Sequence, residues 1–198
     1  MFQLFESVKI FRRRLWNADY HNARMNRAIS EFFPSAPKVH LPEIIKIPDD
    51  LPDDLFKCRI IYSDKIQSVD FQPYVIKPVN RLKIVYDDTI AYDHKYLERS
   101  SIKRHLENVE GDEILIVKSG LITDTSYSNV VFGNSNCFVT PSTPLLKGTK
   151  REKLLNEGSI TEREIRLKDL HEFSYVYLIN AMIDLEDNLR VPVENIIV

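Results

Sequence analysis

Gly120-Leu121-Ile122-Thr123-Asp124-Thr125-Ser126-Tyr127-Ser128-Asn129-Val130-Val131-Phe132 is followed by Thr140-Pro141 and then by Leu145-Leu146-Lys147-Gly148-Thr149-Lys150-Arg151. Short apolar runs enclose a dense group of hydroxyl side chains, one carboxylate and one asparagine, and a Gly-Thr-Lys-Arg turn leads into a helical pattern. Polar groups beside buried strands must find partners, so such a group either caps turns or grips a polar ligand.

Outward from that stretch, the C-terminal half reads as an alternation of strands and short helices. Strands are expected over residues 113–117, 130–132, 136–139, 160–165 and 175–180, with helices over 96–108 and 150–156. The N-terminal half opens with a strand over 2–10, a basic link, and a second strand over 12–16. From Asn17 the period lengthens: Tyr20, Arg24, Arg27, Ala28 and Phe32 fall at helical spacings, with Asn17 or Asp19 as N-cap and Pro34 as the stop. Residues 39–54, rich in Pro and Asp, read as a connection, and strands follow over 56–62, 66–75 and 82–86. The pattern is α+β. Two domains are expected, a smaller one over residues 1–88 and a larger one over 89–198, with no Gly/Ser-rich linker between them.

Composition narrows the partners. The 198 residues suffice for a buried core, and the formal net charge of -2 is spread without a basic stripe, so neither nucleic acid nor an anionic membrane is expected as a partner. No apolar window approaches the roughly 20 residues of a spanning helix, and residues 1–6 lack the pattern of a secretory leader, so a cytoplasmic protein is expected. Cys58 and Cys137 lie in apolar runs without Cys-x-x-Cys spacing and are expected as buried, reduced thiols. His40, His94, His105 and His171 lack zinc-ligand spacing, and no Gly-x-Ser-x-Gly elbow, P-loop or Gly-x-Gly-x-x-Gly occurs.

His21-x-x-Arg24, Lys95, Thr123-Asp124 with Ser128-Asn129, Gly148-x-x-Arg151 and Asn180-Ala181-Met182 before Val191-Pro192-Val193 occur in an order that resembles the class IV aminotransferases. These are the fold-type-IV pyridoxal phosphate enzymes, which include branched-chain and D-amino-acid aminotransferases and 4-amino-4-deoxychorismate lyase. The resemblance spans nearly the whole chain and rests on order and spacing rather than on any one motif. It implies pyridoxal 5'-phosphate as cofactor, held in a cleft between the two domains of a compact member of the fold, and a homodimer. It implies Lys95 as the catalytic lysine that forms a Schiff base with the cofactor. Asp124 stands where the family has Glu, and is implied as the carboxylate that keeps the ring nitrogen protonated. Arg24 is implied as the phosphate-binding arginine, with Gly148, Thr149 and Lys150 at a helix start and Asn180-Ala181 closing the far side. Many relatives have Gly-Ile-Thr-Arg at this turn, so Thr149 is the expected source of the hydroxyl. Ser128 and Asn129 are implied as a wall of the cofactor site, and Arg59 and Arg99 as candidates for a substrate carboxylate or the phosphate. His21 is expected to brace its helix. A small amino-acid or keto-acid substrate follows, with transamination as the leading reaction. Aminodeoxychorismate lysis to pyruvate and 4-aminobenzoate is the alternative, and a non-catalytic cofactor-binding or scaffold protein is a third reading.

Overall fold

The computed structural model describes residues 3–107, 109, 112–134 and 137–197, in two compact units. The first comprises Met1–Ile76 with His94–Glu98, and the second Lys77–Asp93 with Arg99–Val198. The ends of three expected elements, at Phe2, Asn108 and Asn136, lie outside the described residues.

The first unit is one antiparallel sheet with a helix on one face. Strands β1 (Leu4–Phe11), β2 (Arg14–Leu15), β3 (Phe56–Tyr62) and β4 (Ile66–Pro73) are ordered β2-β1-β3-β4, with helix α1 (Ala18–Phe32) and the single turn α2 (Leu41–Ile44) between β2 and β3. Period-two alternation sends Leu4, Val8 and Ile10 of β1 and Phe56, Cys58, Ile60 and Tyr62 of β3 into one core. From α1 that core receives Met25, Ala28 and Ile29. The buried stripe of α1 is His21, Met25, Ala28 and Ile29, which of the residues noted at helical spacings includes only Ala28. The apolar sheet selects the side of the helix carrying Met and Ile, and Arg27 is turned outward. The link between β1 and β2 is a two-residue turn in which both Arg12 and Arg13 have positive φ, 49° and 57°. Arg13 is anchored by its guanidinium on the carbonyls of Asp49 and Leu51, so the basic link also ties down the Pro/Asp-rich connection.

The second unit contains two sheets. Strands β5 (Leu82–Tyr86), β6 (Glu113–Lys118), β7 (Leu121–Ile122) and β13 (Ile196–Ile197) are ordered β13-β5-β6-β7, with β5 parallel to both of its neighbours. Strands β8 (Asn129–Asn134), β9 (Cys137–Pro141), β10 (Thr161–Arg163), β11 (Tyr175–Ile179) and β12 (Arg190–Pro192) are ordered β10-β9-β8-β11-β12. Helices α3 (Ser100–Lys103) and α4 (Thr149–Asn156) complete it. Because β5 pairs with β6 and β13, it belongs to the second unit, whereas a division after residue 88 assigns it to the first.

Two other expectations are corrected. The helix expected over 96–108 is only the single turn α3: Tyr96 instead forms a bridge with Leu4, and the amides of Phe5 and Leu97 close that pairing onto Lys95 and Gln3. Of the two cysteines, Cys58 is buried, with its thiol pushed up to about 12 by burial, while Cys137 is exposed at the start of β9. Among the described residues no helix is long and apolar enough to cross a membrane.

Candidate functional site

In the first unit the site residues gather around Glu6. The even positions of β1 face the core, and Glu6 is the one carboxylate among Leu4, Val8 and Ile10, fully buried. Its Oε1 accepts from Arg24 Nε at 2.9 Å, and its Oε2 accepts from an Arg24 terminal nitrogen at 2.5 Å. His21 Nδ1 lies 2.6 Å from the same Oε2. Burial alone drives a carboxyl pKa upward, but the Arg24 charge and the bonds from His21 and Arg24 outweigh it and hold Glu6 at about 2. In His21 burial wins instead: it lowers the imidazole pKa, only partly offset by Glu6. His21 thus braces α1 against β1, as its sequence position implied, and Arg24 has its guanidinium plane fixed by a bidentate carboxylate. Sequence reasoning missed Glu6, although the alternation Leu4, Glu6, Val8, Ile10 carried the signal: a carboxylate on a core-facing strand position requires a cation.

Lys95 and Arg59 share one aromatic ring. Lys95 Nζ lies 4.7 Å from the Phe5 ring centroid and the Arg59 guanidinium 5.2 Å from it. Arg59 sits on β3 with its Nε buried and without a hydrogen-bond partner. Lys103, the other lysine close to Lys95 in sequence, is exposed on α3.

In the second unit, the hydroxyl-rich stretch folds into a loop closed by a bridge between Asp124 and Asn129. Asp124 Oδ1 accepts from Asn129 Nδ2 at 2.8 Å and Oδ2 from the Leu146 amide at 3.0 Å. Asn129 Nδ2 also donates to the Leu146 carbonyl at 2.8 Å. Burial pushes the Asp124 carboxyl up to about 6, against the lowering effect of these bonds and of Arg151. Gly148 is required here for steric rather than conformational reasons, because a Cβ at this position would stand 1.9 Å from Asn129 Oδ1. Gly148 is the N-cap of α4, and Thr149, Lys150 and Arg151 in its first turn are all buried. The Lys150 ammonium is bonded to Asp184, and Arg151 donates to the Pro141 carbonyl at 2.8 Å and to Glu162 at 2.5 Å. Asn180 Nδ2 donates to Ser128 Oγ at 3.0 Å, and Asn180 Oδ1 accepts from the Met182 amide, which orders the turn holding Ala181.

The structure therefore joins Asp124, Asn129 and Gly148 in one contact set and Ser128 with Asn180 in another. Arg99 donates to the Ser126 carbonyl and lies 5.6 Å from the Tyr92 ring centroid. The buried carboxylate of Glu113 holds the same loop and was also missed from sequence. The cofactor fits this chemistry in one respect above all. Among the described residues the hydrogen bonds to the buried Asp124 carboxylate come from neutral N–H donors, and a cationic N–H ligand such as a protonated pyridine would stabilise its charge.

Comparison with known proteins gives four matches of note. A family model described as amino-transferase class IV matches residues 88–186. A protein of undetermined function from Haemophilus influenzae is 37% identical over 185 residues, covering 92% of this chain and 98% of its own length. Among solved structures, a provisionally assigned 4-amino-4-deoxychorismate lyase from Haemophilus somnus is 33% identical with a TM-score of 0.84, covering 93% of this chain and 98% of that one. A hypothetical aminotransferase from Mycobacterium tuberculosis in its pyridoxal phosphate-bound form shares the fold at 18% identity and TM-score 0.74, covering 98% of this chain and 81% of its own.

Proposed function

The chain belongs to the class IV aminotransferase family, and from that premise we propose that it is a cytoplasmic pyridoxal phosphate enzyme acting on an amino-bearing carboxylate substrate. The observation that carries the reading is Asp124: a buried carboxylate raised to about 6 is poorly explained as a turn cap and well explained as the partner of a ring nitrogen. When bound, pyridoxal phosphate supplies an aldehyde that takes up a primary amine and a ring that draws electron density from the substrate's amino-bearing carbon.

Lys95 Nζ would be the amine that holds the cofactor, and the same amine would take the proton from the substrate's amino-bearing carbon. Asp124 holds the proton on the ring nitrogen. Arg24, oriented by Glu6, binds the phosphate together with the start of α4 at Gly148, Thr149 and Lys150 and the turn at Asn180-Ala181. Ser128 and Asn129 wall the ring. Arg59, whose Nε has no protein partner, receives the substrate carboxylate, while Arg99 is committed to Ser126. The working form in this proposal is a homodimer.

Between the two reactions, sequence alone leans to transamination. The 33% identical structure of nearly equal length, described as a 4-amino-4-deoxychorismate lyase, favours lysis. In that reaction aminodeoxychorismate loses its enolpyruvyl group as pyruvate and leaves 4-aminobenzoate. The test is direct: the cofactor-loaded protein is given aminodeoxychorismate without any keto acid and pyruvate is measured. Pyruvate release supports the lyase; amino transfer that requires a keto acid supports the transaminase; cofactor binding with neither product supports the non-catalytic reading. Failure to bind cofactor at all removes the proposal.

A further inference from the structure

The loop from Asp124 to Asn129 is held by more than its own turn bonds. Glu113, the first residue of β6, is buried and directs both carboxylate oxygens at Ser126. Oε1 accepts from the Ser126 amide at 3.1 Å and from the Ile114 amide at 2.8 Å, and Oε2 accepts from Ser126 Oγ at 2.9 Å. On the other side of the same residue, Arg99 donates to the Ser126 carbonyl, with its Nε buried and lacking a hydrogen-bond partner. A buried carboxylate is an expensive way to hold this largely buried loop, since a carboxamide or hydroxyl could cap it without burying charge. Two donors of Ser126 converging on one carboxylate, with a guanidinium on the Ser126 carbonyl, fix the loop in both directions along its backbone. Within the loop, Thr125 Oγ1 accepts from the Ser128 amide at 3.0 Å, and the Asp124–Asn129 bridge closes it. A displacement of Ser126 is therefore transmitted to Asp124 two residues away.

We propose that Glu113, together with Arg99, is a positioning pair that sets the placement of the Asp124 carboxylate against the cofactor ring. The inference rests on the assignment of Asp124 made above. Neither residue touches the ring; both act through Ser126. Glu113→Gln preserves the arrangement, because the carboxamide oxygen can take the two amides and Ser126 Oγ can turn from donor to acceptor. Glu113→Ala removes both acceptor oxygens and with them all three hydrogen bonds.

The experiment titrates wild type, Glu113→Ala and Glu113→Gln with pyridoxal phosphate by absorbance, and follows the absorption band of the bound cofactor against pH. Circular dichroism reports whether each variant is folded. The expected result is a folded Glu113→Ala with cofactor Kd raised about tenfold, the loss of about 1.4 kcal/mol of binding. The pH midpoint of its band should move, and Glu113→Gln should stay close to wild type on both readouts. A purely structural Glu113 would lower the melting temperature of Glu113→Ala and leave Kd and midpoint where they were, which overturns the proposal. Should Glu113→Ala fail to fold, Ser126→Ala replaces it, with a smaller rise in Kd and a midpoint shift expected and no change as the overturning result. A wild type that binds no cofactor removes the functional reading and this inference with it. A wild type that binds while the variants are unaffected removes the inference alone.

Discussion

Replacing Asp124 with asparagine in the cofactor-free protein should change how stability depends on pH. Burial raises the Asp124 carboxyl from its ordinary 3.8 to about 6, so the folded protein holds this proton over a range where the unfolded chain releases it. The stability linked to Asp124 is therefore fully present below about pH 3.8 and is lost as pH rises through about 6. At about 1.4 kcal/mol per pKa unit, the full loss is about 3 kcal/mol, of which about 2 kcal/mol falls between pH 4.5 and 7.5. Asparagine has no such proton. Its single carboxamide oxygen can take only one of the two donors, Asn129 Nδ2 or the Leu146 amide, and its nitrogen then faces the other, a donor–donor contact worth about 1–3 kcal/mol of destabilisation that does not depend on pH. Urea unfolding of both apoproteins across that pH range, followed by circular dichroism, isolates Asp124 by difference. Wild type should lose about 2 kcal/mol relative to Asp124→Asn on going from pH 4.5 to 7.5. A difference that stays level across the range would refute the claim that Asp124 is a destabilised buried carboxylate.

Glu6 predicts the opposite sign: its pKa lies below the ordinary 4.5, at about 2, so its contribution is present above about pH 4.5 and lost as pH falls through 2. Glu6→Gln should cost about 3–5 kcal/mol near neutrality by leaving Arg24 and His21 facing a carboxamide, with a smaller deficit in acid, measured by the same unfolding method. Gly148→Ala drives a methyl group into Asn129; cofactor Kd should rise and stability fall by about 1–3 kcal/mol, read by absorbance titration and thermal melting. Arg12→Gly relieves a left-handed residue in the β1–β2 turn at the loss of a weak contact with Phe11, and should raise stability by about 1 kcal/mol in a thermal melt.

What the sequence disclosed and what it withheld divide along physical lines. Strands β3, β5 and β11 were legible because their side chains alternate or run apolar between turn residues, and α4 because Gly148 and the run after it mark a start. The site loop was legible by composition, since so many hydroxyls beside apolar strands need a purpose. Residues 96–108 misled because Leu97, Ile102 and Leu106 approximate a helical face, whereas Tyr96 takes a long-range bridge to Leu4 that no local pattern encodes. The hairpin of β6 and β7 escaped notice although Ser119 and Gly120 both take positive φ, 52° and 76°, because β7 is only two residues long. Glu6 and Glu113 escaped for a shared reason: a carboxylate in a strand reads as the solvent side, and only the identity of its distant partners, Arg24 and Ser126, reverses that reading.

Everything assigned to catalysis depends on Lys95, and the chemistry of its bond offers the sharpest measurement. The protein is loaded with pyridoxal phosphate, reduced with borohydride so that any imine becomes a permanent secondary amine, digested, and mapped by mass spectrometry. The account predicts the phosphopyridoxyl mass on the peptide at Lys95, absent from Lys95→Ala. The same mass on Lys150 or Lys103, or on no lysine of the reduced wild-type protein, would contradict it.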